Sequence, residues 1–184
     1  MDCLLVTATG GEKLRDLLLS AGLTAVTVRD TQEEARRLLE QKTFGIVVID
    51  APLKDSYGRE FAASLADFYE MPVMLICQAD MYDGVREKLK GKTVFLLQKP
   101  FTRRALSQSL DFIAAHKKEA DLLRAKNAKI NKKLEDITTI DRAKYLLMSY
   151  LNMSEPEAHR YIEKQAMDRG LSRREIADEI LKTY

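Results

Sequence analysis

Phe44-Gly45-Ile46-Val47-Val48-Ile49-Asp50 is an apolar run that ends on a carboxylate. Four aliphatic residues follow one another from Ile46 to Ile49 with no polar alternation, which suits a strand covered on both faces. Four further runs of the same texture lie at Cys3–Ala8, Ala25–Val28, Pro72–Cys77 and Val94–Leu97. Amphipathic segments come between and after them: Glu12–Ala21, Gln32–Gln41, Arg59–Tyr69, Asp80–Lys90 and Thr102–Ala115. Thr31 fits an N-cap with Glu34 three residues on, and Gly22 fits a helix stop. Five strand–helix alternations predict an α/β domain, a (βα)5 doubly wound parallel sheet.

The chain has 184 residues, 46% hydrophobic and 32% charged, with 30 Lys+Arg against 28 Asp+Glu. That composition excludes a disordered chain, and the near balance of charge excludes a uniformly basic nucleic-acid coat. The sum conceals a local excess. Residues 1–113 carry 15 basic and 16 acidic side chains, 114–137 carry 7 and 4, and 138–184 carry 8 and 8. No apolar run approaches the roughly 18 residues of a membrane span, and the N-terminus lacks a secretion signal. Cys3 and Cys77 sit in apolar runs and read as reduced thiols of a cytoplasmic protein. No Cys or His spacing suggests zinc.

Ligands of such sheets bind at the carboxyl ends of the strands. Asp50, Cys77 and Lys99 fall there. Asp50 with the following Pro52-Leu53-Lys54-Asp55-Ser56-Tyr57-Gly58, and Gln98-Lys99-Pro100-Phe101, resembles the phosphoacceptor loop and Lys-Pro-Phe ending of two-component receiver domains. The resemblance implies a receiver/flavodoxin-like fold over about residues 1–115, with Asp50 as phosphoacceptor and Lys99 and Cys77 beside it.

Two departures weigh against that chemistry. Receivers carry an acidic pair after the first strand that holds Mg²⁺, and here those positions are Thr7 and Ala8. Asp50 alone is a weak Mg²⁺ site, so no cofactor is expected, with Mg²⁺ at Asp50 as the alternative. Cys77 stands where the family has a hydroxyl. The favoured reading is a residual Asp50–Lys99 ion pair in a pseudo-receiver, with Asp50 phosphorylation as its alternative. A third reading, phosphate cradling by Thr7-Ala8-Thr9-Gly10-Gly11-Glu12, is weaker, because the glycines serve equally as a turn.

Residues 114–137 read as a coiled-coil linker helix. With Ile113 at heptad position a, the a and d residues are Ile113, His116, Ala120, Leu123, Asn127, Ile130, Leu134 and Ile137. The aliphatic members with Asn127 predict a parallel homodimer seam.

Residues 138–184 read as a separate all-α, three-helix unit. Thr139–Leu151 is amphipathic, and capping boxes open at Ser154/Glu157 and Ser172/Glu175, with Gly170 between as a stop. The apolar faces are Ala143, Leu146, Leu147 and Tyr150; Ala158, Tyr161, Ile162 and Ala166; and Ile176, Ala177, Ile180 and Leu181. Only seven residues follow Ala177, too few for a turn and a recognition helix, so DNA reading is not expected.

Ile140–Met148, Met153–Ile162, Gln165–Arg169 and Glu175–Ala177 resemble the ANTAR module of AmiR- and NasR-type antiterminators. The resemblance implies binding of paired leader-RNA hairpins, which prevents termination. Lys144, Arg160, Arg173, Arg174, Arg142 and Tyr161 are the expected RNA contacts, because phosphates are met by Lys and Arg and splayed bases stack on aromatic rings. The expected whole is a non-enzymatic, RNA-binding dimer whose receiver-like domain meets a signalling protein or histidine kinase. A protein-interaction adaptor is the alternative.

Overall fold

The computed structural model describes residues 1–69 and 71–183. Five strands, β1 (Asp2–Thr7), β2 (Ala25–Arg29), β3 (Ile46–Asp50), β4 (Val73–Gln78) and β5 (Val94–Lys99), form one parallel sheet in the order β2-β1-β3-β4-β5. Between them run α1 (Gly11–Ser20), α2 (Gln32–Gln41), α3 (Arg59–Phe68) and α4 (Ala79–Lys88). Then come α5 (Arg103–Leu151), α6 (Glu155–Arg169) and α7 (Arg173–Thr183).

Alternate side chains of each central strand serve opposite faces, which is why the runs are continuously apolar. Leu4, Val6, Val47, Ile49, Val73 and Leu75 pack with residues of α2, α3 and α4. Cys3, Leu5, Ile46, Val48, Met74 and Ile76 pack with α1 and the start of α5. The edge strands β2 and β5 are only partly covered, because each has a neighbour on one side alone. Gly58 enters α3 at φ 74°, and a Cβ there would lie 2.9 Å from the Ile49 Cγ2 atom. Only glycine satisfies both the left-handed backbone and the close approach to β3.

The chain divides into two compact units, Met1–Glu119 and Ala120–Tyr184. Helix α5 contributes to both and is unbroken from Arg103 to Leu151. The segments expected at Thr102–Ala115 and Thr139–Leu151 are therefore parts of one helix. In the second unit Ala143 and Leu147 of α5 pack with Ala158, Ile162 and Ala166 of α6 and with Ile176, Ala177 and Ile180 of α7. The Glu157 carboxylate accepts from the Ser154 backbone N–H at 2.8 Å, and that of Glu175 accepts from the Ser172 N–H at 2.8 Å. Gly170 ends α6 at φ 63°. Tyr150, read above as a core residue, is instead 62% exposed, because α5 turns that side chain away from α6 and α7.

One seam residue also needs correction. Ile113 is fully buried in the core of the first unit with Leu106 and Leu110. The spacing 106, 110, 113 is one helical face, and the sheet uses it. Ile113 therefore cannot face a second copy. The His116 ring meets Phe95 of β5 edge-on at 5.6 Å. The exposed apolar stripe begins later, at Leu123, Ile130, Leu134 and Ile137, each more than half exposed.

Candidate functional site

The strand order reverses direction of growth between β1 and β3, so their carboxyl ends open a crevice. Thr7 and Asp50 are register partners there. The Thr7 hydroxyl lies 3.0 Å from Asp50 Oδ2 and 2.8 Å from the Thr9 carbonyl oxygen. The Lys99 ammonium is ion-paired with Asp50 Oδ1 and donates to the Ala51 carbonyl at 3.2 Å. Oδ1 is buried without a well-directed hydrogen bond, so it depends on the Lys99 charge. Asp50 is thus engaged on both oxygens. Cys77, one residue before the end of β4, is buried, and burial raises its thiol pKa against the opposing Lys99 charge.

The rim of the crevice is tied by its own acids. Lys54 pairs with Asp30, and Asp55 accepts from the backbone N–H groups of Gln32 at 3.0 Å and Glu33 at 3.3 Å, capping α2 from a distant loop. Among the described residues no three His, Cys, Asp or Glu side chains group as metal ligands. Mg²⁺ favours near-octahedral oxygen ligation with one or two carboxylates. The donor set at this crevice is one carboxylate, already paired, and one hydroxyl, and it does not fit that ion.

In the second unit an open cleft of about 780 Å³ lies between the later part of α5, α6 and the start of α7. Lys132, Lys133, Lys144, His159, Arg173 and Arg174 line it, with Asp136, Asp141 and Glu175. Most of its cations are already paired. Lys144 reaches Asp141 and Glu155, each at 2.8 Å, with its side chain only 16% exposed. Hydrogen bonds to those carboxylates raise its pKa. Arg174 bridges Asp178 at 3.0 Å and Asp136 at 3.1 Å, and Arg173 meets Glu163 at 3.0 Å.

Residues 10–111 match the response regulator receiver domain family, more than half of the chain. The chain belongs to that family. Residues 128–181 match the ANTAR domain, so this is a receiver–ANTAR regulator. The transcriptional regulatory protein PdtaR of Mycobacterium tuberculosis is 25% identical over 170 residues, covering 92% of this chain and 83% of that protein. Full-length FixJ from B. japonicum shares the fold at TM-score 0.58 and 17% identity, over 97% of this chain and 96% of that one. A receiver domain protein from Clostridium thermocellum also has TM-score 0.58 at 18% identity, over 65% of this chain and 98% of that one.

The receiver residues expected to converge, Asp50, Lys99 and Cys77, do so at the ends of β3, β5 and β4. Of the ANTAR residues, Lys144, Arg173 and Arg174 share the cleft, whereas Arg142 lies on a second, shallower surface with Tyr145. Arg160 and Tyr161 are exposed on α6 and line neither. Lys132, Lys133 and His159 line the same cleft. The two lysines belong to a segment read as linker, and only helix packing brings them beside Arg174. Among the described residues no helix is long and apolar enough to cross a membrane.

Proposed function

We propose that this receiver–ANTAR regulator is an RNA-binding transcription antiterminator that holds leader hairpins through its C-terminal unit. The observation that carries the reading is the gathering of Lys132, Lys133, Lys144, Arg173 and Arg174 on one cleft of the segment that matches the ANTAR domain. RNA phosphates are met by Lys and Arg, and exposed rings such as Tyr161 and Tyr145 offer stacking planes for splayed bases. We assign residues 1–113 to input, 114–137 to a linker helix and 138–184 to RNA. Arg142 and Arg160 extend the contact surface beyond the cleft.

The input unit acts by protein contact with a signalling partner, without phosphoryl transfer. Thr7 and Ala8 replace the carboxylates that would hold Mg²⁺, and Asp50 is held by Lys99 and Thr7. The chain is a parallel homodimer through Ala120, Leu123, Asn127, Ile130, Leu134 and Ile137. A dimer joins two ANTAR units whose individual charge sums to zero.

The test is fluorescence anisotropy and in vitro transcription with a leader RNA of two tandem stem-loops. Binding that weakens steeply with salt, and readthrough of a downstream terminator, are expected. Absence of binding by the dimer overturns the reading in favour of a protein adaptor.

A further inference from the structure

The ANTAR cleft holds five cations and three carboxylates, an excess of two positive charges. The excess has an address. Lys144 and Arg174 are each bound to two carboxylates and Arg173 to one. Lys132 and Lys133 line the same cleft, and their side chains make no ion pair or hydrogen bond among the described residues. Both are exposed and lie on α5, upstream of the Ala143 and Leu147 face that packs on α6 and α7.

A cation already paired within the protein gains little from a phosphate, because it must exchange one anion for another. A free cation in a groove gains the whole interaction and releases condensed counterions. We propose that Lys132 and Lys133 are the principal phosphate-contacting residues of this cleft, so that the RNA backbone tracks onto the linker helix. In that arrangement Lys144, Arg173 and Arg174 shape and hold the cleft walls. The proposal rests on the RNA-binding reading and specifies which residues supply its electrostatics.

The helix supplies its own control. Lys132 and Lys133 occupy heptad positions f and g. Lys118 and Lys126 occupy the same two positions earlier on α5 and do not line the cleft. Lys132→Ala/Lys133→Ala and Lys118→Ala/Lys126→Ala therefore remove equal charge with matched effects on a dimer seam. The experiment titrates a fluorescein-labelled RNA of two tandem stem-loops with each full-length protein across a salt series. The cleft variant is expected to lower the log–log salt slope by about 1.5 and the affinity about tenfold or more, with the control near wild type. Equal slopes and affinities for the two double variants, or for the cleft variant and wild type, overturn the proposal while leaving RNA binding intact. A wild type that does not bind overturns both readings. Far-ultraviolet circular dichroism and sedimentation on each variant separate loss of contact from loss of fold.

Discussion

The Thr7 hydroxyl meets the Asp50 carboxylate at 3.0 Å, across the register of β1 and β3, where a receiver's metal-binding acids would stand. A hydroxyl that donates to the carboxylate stabilises it as a structural anion but brings no second negative charge to attract Mg²⁺. Incubation with acetyl phosphate and Mg²⁺ is expected to leave the intact mass unchanged. A phosphoryl adduct that disappears in Asp50→Ala would refute this. The double variant Thr7→Asp/Ala8→Asp is expected to acquire measurable Mg²⁺ binding by calorimetry.

Among the described residues Lys99 supplies the positive charge paired with Asp50. Removing it in Lys99→Ala leaves a carboxylate with 14% side-chain exposure uncompensated. The expected cost in urea unfolding is about 2–3 kcal/mol, below that of a fully buried pair because Lys99 is partly solvated. Asp50→Ala in the Lys99→Ala background is expected to recover part of the loss, since no orphaned charge remains. Additive costs would show that the two side chains do not interact.

Ile113 and Ile130 share one heptad pattern yet face different neighbours. Ile113→Ala opens a cavity in the sheet's core and is expected to cost about 2–5 kcal/mol without altering sedimentation. Ile130→Glu is expected to leave the thermal stability of the first unit unchanged while shifting sedimentation toward the monomer. A dimer that survives Ile130→Glu would exclude this stripe as the seam.

Glu157 and Glu175 are held below the ordinary glutamate pKa. For Glu157 the largest cause is the Ser154 side chain, and for Glu175 it is the Ser172 backbone N–H. Depressed folded values mean the unfolded chain binds protons first as pH falls, so stability is present above the ordinary value of 4.5 and lost below it. Helical signal followed from pH 7 to 3 is expected to fall in the acid range. The Glu157→Gln/Glu175→Gln variant is expected to show a flatter profile, and an unchanged profile would remove the capping boxes as its source.

Burial pushes the Cys3 thiol up to about 12. A raised folded value contributes stability below the unfolded thiol pKa and loses it as pH rises toward the folded one. Unfolding free energy is therefore expected to decline between about pH 9 and 12. Cys3→Ala should remove part of that decline, and identical slopes would discount the thiol.

Much of the fold was legible because it depends on local periodicity. Continuous aliphatic runs at 46–49 and 73–76 could only serve two-sided strands, and the helix at 32–41 was bounded by its Thr31 cap. The Ser154 and Ser172 boxes are likewise contained within four residues. Strand ends were displaced by one or two residues, because hydrogen bonding continues past the apolar run, as at Gln98 and Lys99.

The sequence by itself determined the alternation, the two matched segments, the identity of the strand-end residues and the absence of acids at positions 7 and 8. Spacing along one chain suffices for each of these. Tertiary structure alone decided which charges remain free. Lys144, Arg173 and Arg174 meet carboxylates on neighbouring turns or helices, up to 38 residues away in the Arg174–Asp136 pair, and among the described residues the Lys132 and Lys133 side chains meet none. It also decided that Ile113 belongs to the core, because a heptad pattern records which residues share a helix face but not what the fold places against it.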